Sequence, residues 1–182
     1  MTIALEQIGA SVRGYLDRYP SEASALTPIL DTLGKGFDFT SRRRFPAHVT
    51  AGIVLLDDED RVLQIKHGVL GLWLTPGGHC EPDDKSLAGA ALRELVEECG
   101  VHPDEVERIG GEDSLPLHVS VHPIPANDAR NEPMHHHFDF RFAYRALSGL
   151  SVQLNHEASE HRWTPYAEFA AADLADRPLP TG

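Results

Sequence analysis

Apolar positions recur at three- and four-residue spacings twice within the first forty residues. Ile3, Leu5, Ile8, Val12 and Tyr15 share one helical face. Tyr19-Pro20 interrupts that stripe, Ser21 offers an N-cap, and Ala25, Leu26, Ile29, Leu30 and Leu33 form a second stripe closed by Gly34 and Gly36. This pattern predicts an N-terminal helical hairpin over residues 1–40, ahead of a main domain over 41–182. The spacing then changes. His48 to Leu56 is rich in Val, Ile and Leu, Arg61 to Lys66 and Leu72 to Leu74 follow, and Ser114 to His122, Phe138 to Ala146 and His161 to Trp163 are later strand candidates. Asp57-Asp58-Glu59-Asp60 resembles the start of a calcium loop. However, Val62 stands where that loop needs its glycine and Gly68 where it needs its final glutamate, so a hairpin turn is expected. Mixed strands with few helices imply an α+β sandwich.

One predicted helix carries chemistry. Between Lys85 and Gly100, the residues Ala88, Ala91, Leu92, Leu95, Val96 and Cys99 make a broad apolar face, and Gly100 gives a C-terminal stop. Glu94, Glu97 and Glu98 lie at i, i+3 and i+4 on the opposite face. Like charges at that spacing repel by a few tenths of a kcal/mol per pair on an isolated helix, so a compensating cation is called for. Mg²⁺ suits carboxylate oxygens and keeps positions free for phosphate and water. Arg93 stands one turn before Glu97, placed to hold that carboxylate, and Gly77-Gly78 allows a tight backbone entry that exposes a carbonyl. On an arbitrary helix, three such glutamates are more simply a solvated acidic face.

The complete string decides between these readings. Pro76-Gly77-Gly78-His79-Cys80-Glu81-Pro82-Asp83-Asp84, followed by Arg93-Glu94-Leu95-Val96-Glu97-Glu98-Cys99-Gly100-Val101, resembles the Nudix box, and its second half matches at every defined position. The first half departs from it, with Asp84 in place of glutamate and one additional residue before Arg93. The resemblance runs from about Phe45 to Phe169 in the order of elements and implies an α/β/α sandwich around a mixed sheet. It also implies that Glu94, Glu97, Glu98 and the carbonyl of Gly77 bind Mg²⁺ or Mn²⁺, and that Arg93 orients Glu97. The implied activity is that of a pyrophosphohydrolase. Water attacks one phosphorus of a nucleoside diphosphate linked to another group, or of a nucleoside triphosphate, and the substrate is a small phosphorylated metabolite or nucleotide.

The family commonly adds an acid from a later loop. Asp139, Glu157 and Glu160 are the candidates, and Glu157 is favoured. Asp139 shares a strand face with Arg141, and Glu160 stands closer to the strand start. Two other readings remain. One is a non-catalytic Nudix-like module that binds a nucleotide or ADP-ribose. The other is an isoprenoid diphosphate isomerase, for which Cys80 and Cys99 are poor acid–base candidates.

Charge narrows the partners. The formal net charge of -12, from 28 acidic residues against 16 Lys and Arg, disfavours a nucleic-acid polymer. Two cysteines without a CxxC point to a reducing cytoplasm, and no apolar run approaches the roughly 18 residues of a membrane span. The hairpin either covers the pocket or pairs two copies in a homodimer. His135-His136-His137 is read as strand rather than as a transition-metal site, because only His135 and His137 can share a face, and Phe138, Phe140, Phe142 and Tyr144 form a core-facing row. The basic run Ser41 to Arg44 is read as a solvated linker, Trp73 and Trp163 as core, and His48 and His79 are given no role.

Overall fold

The computed structural model describes residues 3–111, 113–174 and 177–179. The hairpin consists of α1 (Leu5–Arg18) and α2 (Thr27–Gly34). Ser21 does not cap α2: it lies in a 3₁₀ turn over Pro20–Glu22, and the helix starts after Leu26 with a proline in its first turn. Pro28 lacks the N–H that a first helical turn would leave unpaired, so the start moves to it.

The strands are β1 (Ala47–Leu56), β2 (Arg61–His67), β3 (Trp73–Leu74), β4 (Gly77–His79), β5 (Val106–Arg108), β6 (His118–Ile124), β7 (His135–Ala146) and β8 (Ala158–Pro165), with α3 (Leu87–Cys99) after β4 and α4 (Tyr166–Asp173) after β8. They form one mixed sheet in the order β3-β2-β1-β7-β5, in which β4 also pairs with β1, β6 with β7 and β8 with β2. β1 runs parallel to β7 from Ala47↔His136 to Leu56↔Arg145. β1 is buried along its whole length, which explains its near-continuous apolar sequence. β6 begins four residues later than the sequence pattern suggests, since Pro116 has no N–H to give a ladder. The acidic tetrad is indeed a turn, with Asp57 Oδ1 accepting from the N–H groups of Glu59 and Arg61 at 3.0 and 2.8 Å.

Period-two alternation divides β1 and β7 into two faces. Val49, Ala51, Ile53, Phe138, Phe140 and Phe142 belong to one buried cluster with Ala90, Ala91 and Leu95 of α3 and Ile8, Val12 and Tyr15 of α1. Part of the other face, Val54, Leu56 and Ala143, is covered by Tyr166, Phe169 and Ala170 of α4. The remainder of that face, His48, Thr50, Gly52, His137, Asp139 and Arg141, is polar or small and stands in the same registered rows. A second link ties the hairpin to the C-terminal segment, where Arg177 donates to Tyr15 Oη and to Glu22, and its guanidinium lies 3.6 Å from the centre of the Tyr19 ring. Among the described residues no helix is long and apolar enough to cross a membrane.

Candidate active site

Local signals fix α3 at both ends. Ser86 caps it by accepting from Gly89 N–H at 3.0 Å, and Gly100 closes it in the left-handed conformation at φ 65°. Its position against the sheet depends on two glycines of β4. A Cβ on Gly77 would stand 2.6 Å from Gly52 Cα and 2.8 Å from the Ala51 carbonyl, and one on Gly78 would stand 2.6 Å from Glu94 Oε1. At Gly77 the clash is with backbone, so only glycine lets β4 lie against β1, whereas a side chain at Gly78 would displace the Glu94 carboxylate.

Arg93 is the hub of that face. Its Nη1 donates to Glu94 Oε1 and Glu97 Oε2, both at 3.0 Å, and its Nη2 donates to the His79 carbonyl at 2.8 Å. Nε and Nη2 each reach the Asp84 carboxylate at 3.2 Å. Asp84 is buried and also accepts from Glu81 N–H at 2.7 Å. The acid that departs from the box therefore serves as Arg93's partner, one methylene shorter and one residue further from the helix. Arg93 Nη1 thus binds Glu97 and Glu94 together.

Glu98 is held differently. It is only 9% exposed and accepts from Gly77 N–H at 2.9 Å. Burial pushes its carboxyl up to about 7 against the pull of the Gly77 hydrogen bond, and the charges of Glu94, Glu157 and Glu97 push it further. Burial likewise raises Glu94, while Arg93 opposes the rise. In metal-free protein this has a stability consequence. A carboxyl that ionises at higher pH in the folded than in the unfolded chain favours folding below its unfolded value of 4.5, and that contribution is lost as pH climbs to about 7. In excess chelator, wild-type Tm is expected to fall more between about pH 5 and pH 8 than that of Glu98→Gln, with the variant the more stable at the upper end. Parallel Tm curves for the two proteins would refute this.

These carboxylates open onto a pocket of about 1160 Å³ whose lining includes Glu94, Glu97, Glu98 and Glu157. Of the three later acids, Asp139 and Glu157 both reach the wall, and the charge of Glu157 acts on Glu98. Glu160 is instead paired with Lys66 Nζ at 2.8 Å. Asp139 accepts from Arg141 Nε and Thr50 Oγ1, both at 2.9 Å, in the pairing its strand face suggested. None of the lining residues comes from α1 or α2. Cys80 and Cys99 are buried thiols, each pushed up to about 12 by burial first, and so are unsuited to acid–base work near neutrality.

Three features escaped the sequence reading. Arg42, taken there as part of a linker, lines the pocket, and so does Trp73, over which the Arg162 guanidinium lies at 4.5 Å. His48 and His79 meet His135 and His137 in one cluster of imidazoles. The available signal was a polar row at every second position, His135, His137, Asp139 and Arg141, alternating with the aromatic row Phe138, Phe140 and Phe142.

The site thus belongs to a definite class, in which an acidic helix face is closed over a Gly-Gly strand at the edge of a mixed sheet. Residues 46–181 match the NUDIX domain model, and the chain belongs to the NUDIX family. The RNA pyrophosphohydrolase of Roseobacter denitrificans is 31% identical over 143 residues, which cover 75% of this chain and 85% of that protein. A probable DHNTP pyrophosphohydrolase of Lactococcus lactis is 32% identical over 88 residues, 48% of each chain, so that match spans about half the relative's length. Among solved structures, a C. elegans Ap4A hydrolase complex superposes with a TM-score of 0.53 at 19% identity, over 68% of this chain and 83% of that one. The dihydroneopterin triphosphate pyrophosphohydrolase of E. coli gives 0.53 at 17%, over 71% and 89%. At such identities these structures establish the shared sandwich fold.

Proposed function

We propose that this chain is a divalent-metal-dependent pyrophosphohydrolase that directs water onto a phosphoanhydride bond of a nucleoside triphosphate or of a nucleoside diphosphate linked to another group. The observation that carries this reading is the convergence of Glu94, Glu97, Glu98 and Glu157 on one pocket, where Arg93 binds Glu94 and Glu97 and the Gly77 N–H binds Glu98. Their oxygens are hard donors, and burial leaves Glu98 and Glu94 short of positive charge, so the set fits Mg²⁺ or Mn²⁺. Glu94, Glu97, Glu98 and the Gly77 backbone would hold the ion. When bound, it supplies Lewis-acid stabilisation of phosphoryl charge and a more acidic water.

The chain's own contributions are positional. Arg93 keeps Glu94 and Glu97 in one arrangement, and Gly77 N–H fixes Glu98. Arg42, Arg130 and Arg141 line the same pocket and offset part of the substrate's negative charge. Glu157, on a loop facing the buried Glu98, accepts the proton of the attacking water.

Comparing Glu157→Gln with Glu160→Gln tests that last assignment. With saturating Mg²⁺, Glu157→Gln should lower kcat by more than about tenfold and flatten its dependence on pH, since general-base contributions reach that size or more. Glu160→Gln, which removes only a surface ion pair with Lys66, should leave kcat close to wild type. The reverse pattern would transfer the role to Glu160.

A further inference from the structure

We infer that His48, His79, His135 and His137 form a second metal site, separate from the carboxylates, for an imidazole-preferring divalent ion of the Zn²⁺ class. Three strands deliver the four rings to one sheet face. His48 of β1 lies directly across from His137 of β7 in the parallel ladder, and His135 shares that face two residues earlier. His79 of β4 pairs with Thr50, the next residue on the same face of β1.

Three of the rings already form one group of ligand nitrogens, and the fourth, His79, joins it through His48. The ligand nitrogens of His48, His135 and His137 all lie within 4.8 Å of one another. His48 Nε2 is 3.1 Å from His79 Nε2, and His135 Nε2 is 3.3 Å from His137 Nε2. A tetrahedral Zn²⁺ with imidazole bonds near 2.0–2.1 Å has nitrogen–nitrogen edges of about 3.3 Å, so two opposite edges are already close to length.

The backbone sets which nitrogen is offered. His48 Nδ1 lies 3.1 Å from the Arg44 carbonyl, and His135 Nδ1 lies 2.8 Å from the Pro133 carbonyl. A carbonyl only accepts, so each Nδ1 carries the proton and each Nε2 turns its lone pair toward the cluster. This is the outer-shell arrangement that orients histidine ligands on metals. His48 and His135 are 2% and 3% exposed, so two of the rings are closed off from bulk water. Arg42, whose charge bears on His48 and His79, has Glu132 3.9 Å away as a partner.

Such an ion would fasten β4 to the β1–β7 pair. Because the His79 carbonyl also receives Arg93, the ion would steady the turn that presents the glutamate face. Hard oxygen donors on one side and imidazoles on the other would sort Mg²⁺ from Zn²⁺ between the two sites. Without an ion, the same distances describe two histidine–histidine hydrogen bonds, and experiment separates these arrangements.

Full-length protein stripped of metal is dialysed against micromolar Zn²⁺ in a large excess of Mg²⁺, and bound zinc is counted by elemental analysis. Co²⁺ titration then reports tetrahedral geometry through its visible absorption. Wild type should retain one Zn²⁺ per chain, show tetrahedral Co²⁺ bands and melt higher with Zn²⁺. His48→Gln and the half-buried His137→Gln should each weaken Zn²⁺ binding by at least tenfold, whereas Glu98→Gln should retain it. If the buried His48 variant fails to fold, His137→Gln still decides the matter. Folded wild type that retains no Zn²⁺, folded His137→Gln that binds as tightly as wild type, or loss of zinc in Glu98→Gln would overturn the site.

Discussion

Replacing Glu98 by glutamine lowers kcat by roughly a hundredfold or more at saturating Mg²⁺, because the change removes a ligand charge from a site whose catalysis is mainly electrostatic. Folding is retained. The glutamine carbonyl can still accept from Gly77 N–H, and a neutral amide is easier to bury than a carboxylate. Glu97→Gln should cost a comparable factor in kcat with little change in Tm, since Glu97 has a half-exposed side chain held by Arg93. Steady-state kinetics with Tm measured in chelator check both variants. Near wild-type kcat in either would remove that residue from the site.

The second large effect belongs to Arg93. Arg93→Ala strands Asp84, whose side chain is 7% exposed, and removes the link between Glu94 and Glu97. Breaking a buried pair from one side costs about 3–5 kcal/mol, on the order of 10 °C in Tm for a chain of this size. Activity should fall at least a hundredfold as well, because the two glutamates lose their common anchor. Arg93→Lys keeps the charge but replaces a planar fork that serves four acceptors with a single ammonium, so it should recover part of the stability and little of the rate. Adding Asp84→Asn to Arg93→Ala should restore much of the lost Tm, since the stranded charge is gone. Additive losses in the double variant would show that Asp84 and Arg93 act independently.

How far the sequence revealed these features depended on how local they were. The box helix was legible because its apolar face, cap and carboxylate spacing all lie within one short stretch, and the aromatic row of β7 was legible for the same reason. β4 was not, because Gly77 and Gly78 carry no β propensity, and their necessity appears only once Gly52 and Glu94 stand against them. The burial of Glu98 was hidden for a related reason. Helical spacing placed it with the exposed Glu97, and the strand that covers it comes from twenty-one residues earlier in the chain. Asp84 was visible as a departure from the pattern, but its bonds to Arg93 depend on the turn between Glu81 and Asp84. The polar row of β7 was visible locally, but bringing His48 and His79 to it needed the register of three strands. Helix α2 starts late because Pro28, not Ser21, defines its first turn.

The central claim is metal-dependent hydrolysis of a pyrophosphate bond by the carboxylate face of α3. Its most direct test is product release from a panel of nucleoside triphosphates, dinucleoside polyphosphates and nucleoside diphosphate conjugates. Each substrate is assayed with Mg²⁺ or Mn²⁺, in excess chelator, and after the metal is restored. Turnover of at least one substrate, abolished by chelator and recovered with Mg²⁺ or Mn²⁺, is the predicted result. Undiminished turnover in chelator, or tight binding of a nucleotide or ADP-ribose without product from any substrate, would contradict it.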